Sequence, residues 1–241
     1  STDYELKYDY AKKAFERKKY MQAATLLEEL VAIFKGTDRA EESLYLLARS
    51  YYLNKDYITS GEYFQAYYKN YPKGEYTELA RFYCGYGYYL DFPEAKLDQT
   101  GTYRAIDEMQ RFLDYFPNSE RAKQAQDIIF ELQDKLVYKE LLNAQLYYNL
   151  GNYMGNNYQS AIITAQNALK EYPYTRYKET LSMLILKSKY QEAVQSIEEK
   201  KPERFRDVID EYYSFINDYP SGEYSKEAEN IFKVANKYVK D

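Results

Sequence analysis

Residues 41–72 read EESLYLLARSYYLNKDYITSGEYFQAYYKNYP. The first half of this stretch places apolar side chains three and four residues apart, at Leu44, Leu47, Ala48 and Tyr51. That spacing is typical of one face of an α-helix. Polar residues interrupt the pattern at 54–56, where Asp56 is a residue type that often caps a helix N-terminus. A second run with helical spacing ends at Pro72, since proline disfavours the helical conformation of the residue before it. The stretch therefore predicts two helices joined by a short turn.

Copies of this helix pair recur along the chain. A single pair cannot bury both of its apolar faces alone, so neighbouring copies are needed. Four aromatic–proline stops mark them: Tyr71-Pro72, Phe116-Pro117, Tyr172-Pro173 and Tyr219-Pro220. A fifth, degenerate stop is Phe34-Lys35-Gly36. The pattern before Pro72 fits the tetratricopeptide repeat (TPR), and the other repeats match it in part. We therefore predict an all-α fold, a helical repeat solenoid of about five TPR-like helix pairs with a C-terminal capping helix.

The positions of proline and glycine suggest three parts. Residues 3–117 hold repeats 1 to 3, and residues 151–241 hold repeats 4 and 5 with the capping helix. Residues 118–150 contain neither proline nor glycine, which predicts one long helix connecting the two halves of the array. Repeat 3 is expected to carry an insertion at Asp91–Gly101, which is either a plain loop or a binding segment. Repeat 5 is expected to contain a charged connector, Glu198–Arg204, interrupted by Pro202.

The composition limits the class of function. Hydrophobic residues make up 45% of the chain, enough for a packed core, and no apolar run approaches the roughly 20 residues that span a bilayer. The net charge of -5 is mild, and no basic stripe is present that could neutralise phosphates, so nucleic acid is not expected as a partner.

The residue types also argue against catalysis. Histidine, the commonest general base and metal ligand, is absent, and no phosphate-binding loop or metal-ligand spacing is present. We therefore expect no enzyme activity, no metal site and no cofactor. Adjacent carboxylates such as Glu28-Glu29 and Glu41-Glu42 do not face each other on a helix, and we interpret them as solvated charge. The single cysteine, Cys84, is expected to be a buried thiol.

The 33 tyrosines are the strongest indication of a binding surface. They are too many to be buried completely, and exposed tyrosine favours partner binding. In TPR arrays the first helix of each repeat lines the concave face, which places Tyr8, Lys12 and Phe15 of repeat 1 there. The predicted peptide-binding residues on repeats 2 and 3 are Tyr45, Arg49, Tyr52, Phe82, Tyr86 and Tyr89. The alternative for each ring is packing between repeats.

Arg49 is the most specific of these candidates. An arginine on an apolar-periodic helix gains little unless it meets a carboxylate, which either the protein or a peptide terminus can supply. An intramolecular ion pair, a solvated head group and a peptide contact all remain open for this side chain.

Three features go beyond a generic TPR pattern. The stop Tyr-Pro-x-Gly-Glu-Tyr occurs twice, at 71–76 and 219–224. The insertion with Asp98-Gln99-Thr100 is followed by Ala105-Ile106 and by the stop around Phe116-Pro117. The long helix leads to Tyr147-Tyr148 and to a turn before Ala161. In this order and spacing the sequence resembles the BamD family, the TPR lipoproteins of the outer-membrane β-barrel assembly machinery.

The resemblance implies a non-enzymatic scaffold on the periplasmic face of the outer membrane, held by a lipid on an N-terminal cysteine. It implies that residues 3–117 bind unfolded outer-membrane proteins, in part through a C-terminal signal that ends in an aromatic residue. It also implies that residues 151–241 dock to periplasmic domains of the barrel-forming BamA subunit, with other assembly lipoproteins as possible partners. This sequence lacks the lipidated cysteine, as expected of a chain cut just after the anchor, and membrane contact is expected only through that anchor.

Two other functions fit the same repeats. One is a general TPR protein–protein adaptor with no role in outer-membrane assembly, either periplasmic or cytoplasmic. The other is a structural spacer, for which no ligand in the groove is expected.

Overall fold

The computed structural model describes residues 3–91 and 99–239. Within these two ranges the chain forms eleven α-helices and no β-strand. The helices are α1 (Tyr4–Glu16), α2 (Tyr20–Ile33), α3 (Ala40–Leu53), α4 (Tyr57–Asn70), α5 (Thr77–Leu90), α6 (Thr100–Tyr115), α7 (Ala122–Leu150), α8 (Asn157–Glu171), α9 (Lys178–Val194), α10 (Lys201–Asp218) and α11 (Ser225–Val239). Consecutive helices pack against each other, so the predicted all-α, TPR-like repeat fold is confirmed.

The helix pair predicted at 41–72 is present as α3 and α4. Asp56 is the N-cap residue of α4, as predicted, but its carboxylate accepts a hydrogen bond from the Asn54 side chain at 2.6 Å instead of capping the helix. Between them, Lys55 has a positive φ of 66°, the left-handed conformation that lets the chain reverse within a short turn. The Phe64 ring of α4 is completely buried against α3 and α5.

Two predicted boundaries were wrong. Residues 92–98 of the expected insertion lie outside the described residues, and Gly101 does not break the chain, because α6 already begins at Thr100. The expected connector at Glu198–Arg204 is helical, since a short 3-10 turn at Glu198–Lys200 leads directly into α10. Pro202 lies in the first turn of α10, where its missing N–H would have no partner within the helix.

The described residues divide into two compact units, with the division after Leu132 inside α7. We call them the N-terminal unit and the C-terminal unit. The N-terminal unit has one hydrophobic cluster around Phe64, Tyr67 and Phe112 and another around Tyr8, Leu27 and Leu30. The C-terminal unit has one cluster around Phe205 and Val208, which includes apolar side chains of the predicted capping helix α11, and another around Ile162 and Leu181.

The repeated stop Tyr-Pro-x-Gly-Glu-Tyr holds the first helix of its repeat through a carboxylate. Glu41 accepts hydrogen bonds from the Tyr67 hydroxyl at 2.6 Å and from the Glu75 backbone N–H at 3.1 Å. A Cβ atom on Gly74 would lie 2.5 Å from Glu41 Oε1 and 2.6 Å from the Tyr67 hydroxyl. The glycine of this motif is therefore required for the close approach of the carboxylate.

Other repeats use the same contact with different residues. Glu78 accepts a hydrogen bond from Ser119, and Asp134 accepts one from the Thr175 hydroxyl at 2.6 Å. In repeat 5 the carboxylate of Glu179 approaches Gly222, but phenylalanine occupies the position that Tyr67 holds in repeat 2, and Glu179 Oε1 is buried without a hydrogen bond.

Of the adjacent carboxylates interpreted as solvated charge, Glu28, Glu29 and Glu42 are exposed and Glu41 is half-buried, but several of them also accept hydrogen bonds. Besides Glu41, Glu42 accepts a hydrogen bond from the buried Tyr8 hydroxyl at 2.7 Å, and Glu28 accepts one from Tyr51. The bonds of Glu42 and Glu28 join helices of neighbouring repeats, whereas the bond from Tyr67 to Glu41 joins the two helices of repeat 2.

Candidate functional site

Helix α3 brings the predicted site residues Tyr45 and Tyr52 into one set of ring contacts. Tyr45 stacks on Tyr76 with ring centroids 4.2 Å apart, and Tyr52 lies 5.0 Å from Tyr83. Both residues also contact the Phe64 ring of α4, at 6.1 and 6.2 Å. Tyr45 is buried, with 7% of its surface exposed, whereas Tyr52 is half-buried. Tyr45 therefore packs between repeats, and Tyr52 reaches solvent.

Helix α5 continues the same set. Phe82 contacts Tyr83 at 5.6 Å and stacks on Tyr86 at 5.5 Å, and Tyr86 contacts Tyr89 at 5.6 Å. Phe82 is buried, whereas Tyr86 and Tyr89 are half-buried. The Tyr89 hydroxyl donates a hydrogen bond to Glu131 at 2.9 Å, and burial together with this bond raises the pKa of Tyr89 to about 12.

These contacts define a continuous aromatic surface across repeats 2 and 3. We call it the aromatic face, made of Tyr45, Tyr52, Tyr76, Phe82, Tyr83, Tyr86 and Tyr89. All five predicted aromatic site residues belong to it. Its two buried members form the floor, and its half-buried members leave part of their surface exposed.

Arg49 lies at the edge of the aromatic face. Its guanidinium carbon is 5.1 Å from the Phe15 ring centroid and 6.0 Å from that of Tyr45, within the range of cation–π attraction. No Asp or Glu in residues 3–91 and 99–239 forms an ion pair with it, so the intramolecular ion pair is not what holds this half-buried side chain. The N–H groups of Arg49 remain available to an acceptor from outside the chain.

Arg121 is a second cation at the aromatic face that the sequence prediction missed. Its guanidinium carbon lies 5.7 Å from the Phe82 ring centroid, and no carboxylate of the described part of the chain pairs with it. Burial raises the pKa of Tyr45 to about 12, and the positive charges of Arg49 and Arg121 both act in the opposite direction. The two arginines therefore lie within electrostatic reach of the same hydroxyl group.

A sequence signal for Arg121 was present. It is the fourth residue after the proline of its stop, Pro117. In the other three aromatic–proline stops this position holds tyrosine: Tyr76, Tyr177 and Tyr224. Because Tyr76 stacks on Tyr45, the equivalent position in the next repeat was a candidate for the same surface, and in this repeat it carries a positive charge.

The predicted residues of repeat 1 contribute less. Tyr8 is completely buried and donates its hydroxyl to Glu42, so it belongs to the core. Lys12 lies 4.6 Å from the Tyr8 ring centroid and 3.8 Å from Glu42, and its charge is already paired. Phe15 is half-buried and supports Arg49, which makes it the only one of the three that adjoins the aromatic face.

Three further properties of the described residues concern metal binding, the single cysteine and membrane-spanning helices. These residues include no group of three or more His, Cys, Asp or Glu side chains that could hold a metal ion. Cys84 is buried, as predicted, and burial raises the pKa of its thiol well above the ordinary value. Among the described helices, none has the length and apolar character needed to cross a membrane.

Comparison with known proteins adds a family to this geometry. The sequence matches the YfiO family, described as outer membrane lipoprotein, over residues 2–185, a match that ends inside α9. No individual curated protein matches the chain. Since the family match covers far more than half of the 241 residues, the chain belongs to the YfiO family of outer membrane lipoproteins, the family that includes BamD.

Proposed function

We propose that this chain is a non-enzymatic scaffold of the outer-membrane β-barrel assembly machinery, carried on the periplasmic face of the outer membrane by a lipid anchor. It binds unfolded outer-membrane proteins on the aromatic face and docks to the barrel-forming BamA subunit through its C-terminal unit. Membership of an outer membrane lipoprotein family supports the location and the machinery. The observation that carries the substrate assignment is the pair Arg49 and Arg121, two cations held over aromatic rings without carboxylate partners among the described residues.

The chemistry of the aromatic face suits a chain terminus that ends in an aromatic residue. A terminal carboxylate can accept two parallel hydrogen bonds from the guanidinium of Arg49, the strongest geometry for such a pair. The terminal ring can then pack on the half-buried rings of Tyr52 and Tyr86, above the floor of Tyr45 and Phe82. Arg121 adds a second positive charge near the same floor.

Replacement of Arg49 is expected to weaken the binding of such a terminus. For a labelled peptide with an amphipathic β-strand pattern and a C-terminal phenylalanine, we expect Arg49→Gln to lower the affinity about tenfold or more, because a charge-assisted hydrogen bond is lost. Arg121→Gln should have a smaller effect in the same direction. Fluorescence anisotropy of the labelled peptide measures both.

Two controls make this test specific. Arg17→Gln removes the same charge from an exposed position that follows α1, and it should leave the affinity unchanged. The same peptide with a C-terminal amide should bind more weakly to the unmodified chain and should be insensitive to Arg49→Gln. If Arg49→Gln and Arg17→Gln behave alike, the assignment of the carboxylate to Arg49 is wrong.

The C-terminal unit offers a different kind of surface for docking. Residues 141–169 carry no charged side chain, although 29% of the whole chain is charged. Within this stretch several large apolar side chains are exposed: Leu142 (52%), Leu146 (56%), Tyr153 (68%) and Met154 (90%). Depletion of charge together with exposed tyrosine and methionine is typical of the core of a protein–protein interface. This composition supports a protein partner at the end of α7 and the turn that follows it.

The alternative function is a general TPR adaptor outside outer-membrane assembly, and partner capture separates the two. With the chain as bait in detergent-solubilised envelope, we expect recovery of a β-barrel protein that carries periplasmic repeat domains. The double variant Tyr153→Ser/Met154→Ser should recover much less of it. Tyr174→Ser, at a ring of the same unit that is 87% exposed but lies outside residues 141–169, should recover as much as the unmodified chain. Recovery of soluble partners alone would favour the adaptor.

A further inference from the structure

The edge of the N-terminal unit at which the two helices of each repeat join carries a row of exposed apolar side chains. The second helices of the five repeats align on one completely buried residue in their N-terminal halves: Ala23, Ser60, Ala105, Ala161 and Val208. Two residues before it, repeats 1 to 3 have Met21, Ile58 and Tyr103, which are 48%, 40% and 55% exposed. Repeats 4 and 5 have Gln159 and Arg206 there, so the apolar row is a property of the N-terminal unit.

A cluster of positive charge lies beside this row in repeat 1. Residues 12–19 read KKAFERKK, with five Lys or Arg residues and one Glu, in a chain whose net charge is -5. Lys12 is paired with a carboxylate. The other three lysines, Lys13, Lys18 and Lys19, are exposed and form no ion pair with the residues that the structure describes. The turn between α1 and α2 therefore has an excess of exposed positive charge.

The local structure of this turn does not favour lysine. Lys18 has a positive φ of 61°, the left-handed conformation, which few residues other than glycine adopt. Lys19 is the N-cap residue of α2 and its side chain makes no cap, at a helix end where positive charge is unfavourable. The equivalent turn of repeat 2 contains Lys55 together with an acidic N-cap residue, Asp56. The stability of the turn therefore does not explain the lysines of repeat 1.

We propose that this edge, which we call the turn edge, lies on an anionic phospholipid surface. Lys18 and Lys19 contact the headgroups, while Met21, Ile58 and Tyr103 enter the boundary between headgroups and acyl chains. Lysines beside exposed apolar and aromatic side chains are typical of proteins that lie on a membrane surface, because the long side chain keeps its charge in the headgroup layer. The inference rests on the proposed location at the outer membrane, and it adds a contact to that of the lipid anchor.

The composition of the turn edge favours lipid over an acidic protein as the occupant. Lysine is depleted from protein–protein interfaces, whose cores are rich in aromatic and apolar side chains. The apolar residues of the turn edge are instead single residues, one on each repeat, and a polar or charged residue follows each of them directly: Gln22, Thr59 and Arg104. One shallow apolar contact on each repeat suits the interfacial layer of a bilayer, which is itself partly polar.

Sedimentation with vesicles tests the proposal, using the full chain of 241 residues with no lipid attached. We expect binding to vesicles of equal parts phosphatidylglycerol and phosphatidylcholine, weaker binding as salt is added, and no binding to phosphatidylcholine alone. Lys18→Gln/Lys19→Gln should lower the vesicle affinity about tenfold, because two headgroup contacts are lost. Lys35→Gln/Lys73→Gln removes the same charge from exposed positions that follow the opposite ends of α2 and α4, and it should leave the affinity unchanged.

Insertion of the apolar row can be measured separately, because the chain contains no tryptophan. With the phosphatidylglycerol vesicles, we expect the fluorescence emission of Met21→Trp and of Tyr103→Trp to shift to shorter wavelength. Tyr115→Trp, at the other end of α6 and at a ring that is 65% exposed, is the matched control and should show no shift.

The absence of saturable binding to the phosphatidylglycerol vesicles would overturn the proposal, as would equal binding to phosphatidylcholine alone. So would equal losses of affinity in the two lysine double variants, because the charge would then act from the whole surface and not from the turn edge. The proposal would also be wrong if Tyr115→Trp shifted as much as Met21→Trp and Tyr103→Trp. None of these results bears on the proposed scaffold function, which the recovery of a β-barrel protein from the envelope tests separately.

Discussion

Above pH 10 the N-terminal unit is expected to unfold cooperatively within one to two pH units. Five of its tyrosines are buried and have a raised pKa, with burial as the largest cause: Tyr8, Tyr45, Tyr67, Tyr68 and Tyr88. The value for Tyr45 is about 12. Carboxylates strengthen the effect at Tyr8, Tyr67 and Tyr68, whose hydroxyls donate to Glu42, Glu41 and Glu108.

The direction follows from proton linkage. Tyrosine in the unfolded chain loses its proton near pH 10, whereas these five keep theirs in the folded unit until their higher native pKa values are reached. Above pH 10 the unfolded state therefore binds fewer protons, and stability falls as the pH rises. In this window each buried tyrosine lowers the free energy of unfolding by about 1.4 kcal/mol per pH unit, and the five together lower it by about 7 kcal/mol per pH unit. That is comparable to the whole stability of a typical domain.

Far-UV circular dichroism and tyrosinate absorbance, followed together against pH, measure this transition. Tyr45→Phe should reduce the slope of stability with pH by about 1.4 kcal/mol per unit, since the Tyr45 ring is held by stacking on Tyr76. Tyr10→Phe, at a ring that is 57% exposed, is the matched control and should leave the slope unchanged. Gradual tyrosinate formation in a chain that keeps its helical signal would contradict the prediction.

Most of the helices could be predicted from the sequence alone. Apolar spacing along one helix and the aromatic–proline stops are local signals, so the number of helices and most of their boundaries could be predicted. The errors at Gly101 and Pro202 came from treating these residue types as helix breakers. Both lie in the first turn of a helix, where glycine and proline interrupt few hydrogen bonds.

The site was harder to predict, because helical periodicity does not separate a core face from a groove face. Tyr45 and Tyr52 are both apolar-periodic on α3, yet only the second reaches solvent. The two hydrogen-bond partners of Glu41 lie 26 and 34 residues away in the sequence, so no local pattern predicts these contacts. Arg121 was accessible to reasoning from repeat register alone, through its equivalence to Tyr76.

Phe64→Ala is expected to remove about 3–5 kcal/mol from the stability of the N-terminal unit and to weaken peptide binding at the aromatic face. Phe64 is completely buried, and its ring lies within 6.2 Å of the centroids of Tyr45, Tyr52 and Tyr83. Replacement by alanine leaves a cavity below Tyr45, Tyr52 and Tyr83. These rings can then tilt inward, and they no longer form a fixed surface. Urea unfolding followed by circular dichroism measures the stability, and anisotropy of the phenylalanine-terminated peptide measures the binding.

Phe205→Ala provides the matched control in the C-terminal unit. Phe205 is also completely buried and contacts aromatic rings, among them Tyr238 with centroids 4.1 Å apart. It should therefore cost a similar amount of stability while the peptide affinity stays unchanged. If both variants lose stability and neither loses affinity, the peptide does not use the rings that Phe64 supports. If Phe64→Ala alone loses affinity, the packing of α4 below α3 and α5 is part of the binding surface, and the rings act as one preorganised platform.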